Sequence, residues 1–216
     1  PGSARAVFVS GTTAFVTDEW RGLMLIIDVT DPTQPALLGS YDPPGASEGV
    51  FVSGTTAFVA DGWEGLQIID VTDPTQPALL GSYDTPGSAR AVFVAGTTAF
   101  VTDGEGGVQI VDVTDPAQPS LLGSYDTPGS ARAVFVSGTT AFVATGWEGV
   151  QINDVSGCEP SCRVDMNGDG MVNTRDFHVF HTAWSANNPI ADWNGDETVD
   201  TQDFIAFLGD WVVGCP

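Results

Sequence analysis

The chain has 216 residues, with six arginines, no lysine and 28 acidic side chains, for a formal charge of −22. Such a surface repels nucleic acid and anionic lipid and attracts divalent cations. No apolar run reaches the roughly 18 residues that a membrane-spanning helix needs, so no membrane span is expected.

Residues 1–157 repeat a single pattern. The aspartate of Ile-Ile-Asp-Val-Thr-Asp-Pro recurs at Asp28, Asp70, Asp112 and Asp154, every 42 residues. Each repeat holds four short apolar runs, in the second and third repeats Leu66 to Val71, Ala78 to Tyr83, Arg90 to Val94 and Thr98 to Thr102. Gly, Pro, Asp and Ser-Gly-Thr-Thr clusters separate them, and none has helical periodicity. Four antiparallel strands in 42 residues describe a blade of a β-propeller, which must stack on its neighbours to bury its faces. About 3.7 such repeats span residues 1–156, and the last stops after its third strand. Pro1 to Arg5 copies Pro86 to Arg90, so the chain starts inside a repeat. The expectation is an N-terminal truncation that has taken a signal peptide with it.

The segment Gly-Leu-Gln-Ile-Ile-Asp-Val-Thr-Asp-Pro-Thr-Gln-Pro-Ala-Leu-Leu-Gly-Ser-Tyr (65–83) resembles the LVIVD repeat of bacterial surface and secreted proteins. That resemblance covers residues 1–157 and implies a β-propeller. It implies nothing definite about molecular role.

In a four-stranded blade the start of the first strand shares a rim with the loop between the second and third strands. Two unusual residue sets fall there. Arg5, Arg90 and Arg132 begin first strands, with Glu48 in the second repeat. Trp20, Trp63 and Trp147 occupy the loops, with Glu105 in the third repeat. With the first strand innermost, the arginines ring a channel mouth and suit an anion or carboxylate; the alternative is pairing with Glu48 or with Asp84 and Asp126. The tryptophans suit sugar stacking or partner anchoring, against packing on the next blade. Asp31, Asp73 and Asp115, each followed by proline, are read as turn scaffolding.

Residues 157–163 read as a linker into a second domain, 164–216. The three cysteines, Cys158, Cys162 and Cys215, flank or lie in that domain. Pairing Cys162 with Cys215 closes a loop of just over 50 residues. On chain-entropy grounds this removes about 4 kcal/mol of unfolded-state freedom. Cys158–Cys162 is the rival pairing, and either disulfide points to an extracytoplasmic home.

Within this domain two acidic 12-residue segments repeat 27 residues apart. The first offers Asp165, Asn167, Asp169, the Met171 carbonyl, Asn173 and Asp176; the second offers Asp192, Asn194, Asp196, the Thr198 carbonyl, Asp200 and Asp203. These are positions 1, 3, 5, 7, 9 and 12 of a calcium loop, all oxygen donors for a hard cation. Two calcium ions are expected. Glu197 replaces the glycine usual at position 6 of the second loop, and a left-handed non-glycine residue costs roughly 1–2 kcal/mol. The segments that follow match too: Phe177, Phe180 and Trp184 against Phe204, Phe207 and Trp211, each trio on one helical stripe. Facing stripes would form a small core; a partner-binding stripe is the alternative. His178 and His181 lie on the first of these helices and are read as surface residues.

The duplicated arrangement over residues 162–216 resembles the type I dockerin, an all-α module with EF-hand-like loops. The resemblance implies calcium-dependent docking to a cohesin-like module on an extracellular scaffold. It also implies that loop positions 10 and 11, here Thr174, Arg175, Thr201 and Gln202, touch the partner. Glu197 and the terminal cysteines depart from the family pattern, so another extracellular scaffold protein is also a candidate partner.

Residues 1–157 contain no His, Cys or Lys, which excludes the usual nucleophile–base pairs and Schiff-base chemistry there. The first expectation is a non-catalytic secreted or cell-surface binding and display protein, with a carbohydrate or surface ligand on the propeller, anchored by the docking module. The alternative is a component of an extracellular polysaccharide-degrading complex whose catalytic domain lies upstream. A structural surface protein with a rigid calcium-bound terminus is the third.

Overall fold

The structure is a computed structural model. It describes residues 2–18, 22–155, 166, 174–193 and 198–213. The chain divides into two compact units, Pro1–Asn153 and Asp154–Pro216. The expected linker at 157–163 lies outside the described residues.

The first unit is built of antiparallel sheets in chain order. The first sheet holds β1 (Ala4–Ser10), β2 (Thr13–Asp18), β3 (Leu23–Asp28) and β4 (Ala36–Tyr41). The second holds β5 (Gly49–Ser53), β6 (Thr56–Ala60), β7 (Leu66–Asp70) and β8 (Ala78–Tyr83). The third holds β9 (Ala91–Ala95), β10 (Thr98–Thr102), β11 (Val108–Asp112) and β12 (Ser120–Tyr125). Three strands make the fourth: β13 (Ala133–Ser137), β14 (Thr140–Ala144) and β15 (Val150–Asp154). The strands match the apolar runs in the sequence to within a residue at either end.

Local chemistry explains each connection. Ser-Gly-Thr-Thr closes the first hairpin of three sheets, as in the Ser53–Thr56 pair, and Ala95-Gly-Thr-Thr98 closes that of the third. Gly11, Gly54, Gly96 and Gly138 supply φ of +55° to +58° there, which suits a two-residue hairpin turn. At the other end of the sheets, the Asp-x-Thr turns cap themselves. Asp70 accepts the Thr72 N–H at 2.8 Å, and Asp73 accepts the Thr75 N–H and hydroxyl at 2.9 and 2.7 Å. These bonds, the Thr side chain first, lower the carboxyl pKa of Asp70 and Asp73. The same pattern holds at Asp28 and Asp31.

The core lies between consecutive sheets. Ala57, Phe58, Val59 and Ala60 alternate across β6, and all four are buried. Ala57 and Val59 pack with Phe15, Met24 and Ile26 of the sheet before. Phe58 and Ala60, with Leu66 and Ile68, pack with Val92, Val94, Ala99 and Val101 of the sheet after. Burying a Val, Leu, Ile or Phe side chain contributes roughly 1.5–3 kcal/mol, so a blade gains most where it has a neighbour on each side. The end sheets show the converse. Val7 and Val9 of β1 are exposed, and so are Phe142, Val150 and Ile152 of the fourth sheet.

The first strands of successive sheets lie side by side, β1 on β5, β5 on β9, β9 on β13. One phenylalanine from each forms a continuous file: Phe8–Phe51, Phe51–Phe93 and Phe93–Phe135 have ring centroids 4.9, 5.1 and 5.2 Å apart. This is the arrangement of innermost strands in a propeller.

The second unit contains α1 (Thr174–Ser185) and α2 (Thr201–Val213). Their aromatic stripes face each other. Phe180 and Phe207, both fully buried, stack at 3.9 Å with planes 2° apart. Trp193 meets both edge-on, at 5.6 and 5.0 Å. The outer residues pair crosswise, Phe177 with Trp211 at 5.8 Å and Phe204 with Trp184 at 5.2 Å. The stripe is therefore occupied by the unit's own core. No helix among the described residues is long and apolar enough to cross a membrane.

Candidate functional site

Glu48, Arg90 and Arg132 each precede the first strand of their sheet and hold the same register. Their N–H groups donate to the carbonyls of Ala60, Thr102 and Ala144, each at 2.8 Å. Identical backbone positions on neighbouring innermost strands bring the side chains together. With Arg5 of β1 they line one recess of about 340 Å³. Three guanidinium groups against one carboxylate make it a cationic spot on a strongly acidic protein. Arg90 Nη1 lies 3.7 Å from Glu48 Oε2, an ion pair but too long for a hydrogen bond. Arg90 Nε is buried without a hydrogen-bond partner. Arg5 and Arg132 are exposed. The pairing of arginine with Glu48 that the sequence offered as an alternative is thus present for Arg90, and it leaves part of its guanidinium unused.

The tryptophan loops share this rim. Gly62, next to Trp63, forms a bridge with Ala89, next to Arg90. Gly104 does the same with Ala131, next to Arg132. Trp63 is 76% exposed and Trp147, in a single 3-10 turn at Gly146–Glu148, is fully exposed. Trp63 does not pack into the following sheet, the other use considered for it; Trp147 belongs to the fourth sheet, after which this chain has no further sheet among the described residues. Trp20 lies outside the described residues.

A second residue set on these loops escaped the sequence reading. Asp18, Asp61 and Asp103 end the second strands and are buried, with Thr145 in the fourth sheet. Asp61 accepts the Gly45 N–H at 2.8 Å and lies 3.2 Å from the Ser47 hydroxyl. Asp103 accepts the Thr85 hydroxyl at 2.6 Å and the Gly87 N–H at 2.7 Å. Asp18 accepts the Ser3 N–H at 2.9 Å. Each clamps the incoming segment of chain onto the loop of its own sheet. The signal was present as Thr-Asp, Ala-Asp, Thr-Asp and Ala-Thr at equivalent positions, but aspartate before glycine, as at Asp61 and Asp103, reads as an ordinary exposed turn.

Burial raises the Asp61 carboxyl to about 6, against its hydrogen bonds, which lower it. Burial raises Asp103 as well. A folded-state pKa above the unfolded value means that the folded form takes up the proton first. The first unit should therefore gain stability as pH falls from above 6 towards about 4, the ordinary aspartate value. Below that the lowered pKa values of Asp28, Asp31, Asp70 and Asp73 act in the opposite sense. Melting temperature followed between pH 7 and 3 should pass through a maximum within this window. Asp61→Asn should flatten its high-pH flank, whereas Asp61→Ala, which strands the Gly45 N–H, should cost about 1–3 kcal/mol.

In the second unit, five of the expected calcium ligands are described: Asp176, Asp192, Thr198, Asp200 and Asp203. Asp165, Asn167, Asp169, Met171, Asn173, Asn194 and Asp196 lie outside the described residues, as do Cys162 and Cys215. Asp176 and Asp203, the twelfth positions, are both fully buried at the first turns of α1 and α2. Asp203 accepts the N–H groups of Trp193 at 2.7 Å and Asp200 at 2.8 Å, holding its loop against the helix. Among the described residues no three His, Cys, Asp or Glu side chains gather as a metal site. Thr174, Thr201 and Gln202 are exposed. Of Arg175 only the backbone is described. His178 and His181 are exposed, and His181 stacks on Phe177 at 6.2 Å.

Comparison with known proteins bears on the first unit. Among solved structures, the computationally designed Ika4 protein is similar with a TM-score of 0.60 at 12% identity, over 71% of this chain and 92% of that one. The computationally designed Ika8 protein gives 0.59 at 12% identity, over 70% of this chain. The chain spans only 46% of the length of Ika8. At this identity the likeness concerns the fold alone. No curated protein matches the chain. The LVIVD repeat matches it four times in succession, at residues 1–43, 44–85, 86–127 and 128–162. With three quarters of its length so matched, and with antiparallel sheets stacked as in a propeller, the chain belongs to the LVIVD-repeat family.

Proposed function

We propose that the protein is a non-catalytic binding and display protein of the cell surface or extracellular space. Its repeat unit presents the arginine-lined recess, and its helical unit is a calcium-dependent docking module of the dockerin kind for a cohesin-like scaffold. The observation that carries the docking part is the duplicated core. Phe180 of α1 stacks on Phe207 of α2, and each helix carries a fully buried aspartate in its first turn, Asp176 and Asp203, the twelfth position of its loop in the sequence.

The donor set fits calcium, since both loops offer only oxygen and the domain from residue 158 onward has ten acidic residues against two arginines. Asp192, the Thr198 carbonyl, Asp200 and Asp203 would hold one ion, and Asp176 with the first-loop donors the other. Bound calcium supplies the positive charge that lets the loop carboxylates sit together. The chain itself does the rest: the aromatic core orients the two helices, and Thr174, Thr201 and Gln202 stay exposed for a partner.

Calorimetric titration of calcium into chelated protein is expected to give two ions per chain, falling to one in Asp203→Ala. One ion in the unaltered protein would sink the two-site reading. Retention on an immobilised cohesin in calcium and release by chelator is the expected docking result; no retention under either condition would overturn the cohesin assignment.

A further inference from the structure

The recess between the innermost strands has chemistry beyond a general cationic patch. Its donors are planar guanidinium groups, because the N–H groups of Glu48, Arg90 and Arg132 are committed to the sheets. A phosphate is commonly held by clustered backbone N–H groups at a nest or helix start, and those N–H groups are not on offer. A carboxylate matches the edge of a guanidinium with two parallel hydrogen bonds. The Arg90 side chain is about one third exposed and its Nη1 stands 3.7 Å from Glu48, too far for a hydrogen bond. The accessible edge of this guanidinium is where an incoming carboxylate gains most.

Two further features narrow the ligand. Glu48 remains in the recess as an acceptor, which suits a ligand hydroxyl and disfavours a compact, multiply charged anion such as phosphate. The Gly62–Ala89 bridge ties the Trp63 loop to the residue before Arg90, and the indole is 76% exposed. A flat-faced, hydroxylated ring held in the recess by its carboxylate can extend towards this aromatic on the same rim. A volume of about 340 Å³ admits one or two such rings.

We propose that this recess binds a uronate, a sugar bearing a carboxylate. The carboxylate lies between Arg90 and Arg132, a hydroxyl donates to Glu48, and the sugar face rests towards Trp63. The assignment names the ligand class for the binding unit and is independent of calcium docking by the helices.

The test is titration of the whole chain with galacturonate and digalacturonate at low ionic strength, in calcium and again in chelator, read by calorimetry. Saturable binding is expected in both conditions, with galactose at least tenfold weaker. Arg90→Gln should weaken galacturonate at least tenfold. Arg132 is exposed, so Arg132→Gln leaves the fold intact and should also weaken it severalfold. Trp63→Ala should weaken galacturonate but leave acetate unchanged. Equal affinity for galactose, no binding of either uronate, or tighter binding of inorganic phosphate or of a polyglutamate peptide would each overturn the assignment. A loss of binding confined to chelator would do so as well, because it would place the site in the calcium-dependent unit.

Discussion

Phe207→Ala is expected to remove cooperative melting of the helical unit, in saturating calcium, while the repeat unit melts as before. Phe207 is fully buried, stacked on Phe180 at 3.9 Å and met edge-on by Trp193 at 5.0 Å. Truncating a buried phenylalanine costs about 3–5 kcal/mol through lost burial and the cavity left behind. A unit of about 60 residues buries only about 60% of the surface its unfolded chain exposes and holds a small stability margin. The loss should therefore consume most of that margin. Near-UV circular dichroism reports it directly, because tryptophans 184, 193 and 211 surround the stacked pair. Ile205→Ala is the control: Ile205 lies on the same helix, 69% exposed, and its truncation should stay within about 0.5 kcal/mol. A Phe207→Ala protein whose helical unit melts within 1 kcal/mol of the parent would refute this packing.

The second large effect is a contrast between two glycines at the same place in the repeat. Gly81 of β8 sits under the next sheet, and a Cβ added there would meet the Pro116 carbonyl oxygen. At Gly39 it would meet the Pro74 oxygen in the same way. Each glycine thus lets the Asp-Pro turn of the following repeat approach a fourth strand. At Gly123, among the described residues, nothing lies within 4 Å of that position. Gly81→Ala must push two backbones apart and should cost about 1–3 kcal/mol, the usual penalty for overpacking. Gly123→Ala should be neutral or slightly stabilising, because it reduces the freedom of the unfolded chain by about 0.4–1 kcal/mol. Chemical denaturation of the pair checks this. Equal destabilisation would mean that the glycine serves its own strand and not the contact between sheets.

These two cases also mark the boundary of what could be read from the residues. The alternation in Ala57-Phe58-Val59-Ala60 and its copies, with turn residues between, spells out four strands per repeat and a blade buried on both sides. The spacing of Phe177, Phe180 and Trp184 spells out a helical stripe. Both are local periodicities, written in the chain by the geometry of strand and helix. The gathering of Arg5, Arg90 and Arg132 was legible because repetition carries a residue to the same station on each blade. The roles of Asp61 and Asp103 were not legible. Their aspartate-before-glycine pattern is identical in an exposed turn and in a buried clamp, and only the chain folding over them decides which.

By itself, the sequence determined the repeat, its four-strand content, the amphipathic helices, the acidic charge and the lack of His, Cys and Lys in residues 1–157. All of these follow from residue type and spacing along the chain. The tertiary structure decided that one arginine would be half satisfied by Glu48, and that Trp63 and Trp147 would stand exposed. It also decided that the two aromatic stripes would close on each other, and that one of three equivalent glycines would have no neighbour at its Cβ position among the described residues. Those outcomes depend on distances between segments far apart in sequence. Copies of one repeat meet different surroundings, and it is the surroundings that make one copy a scaffold and another a site.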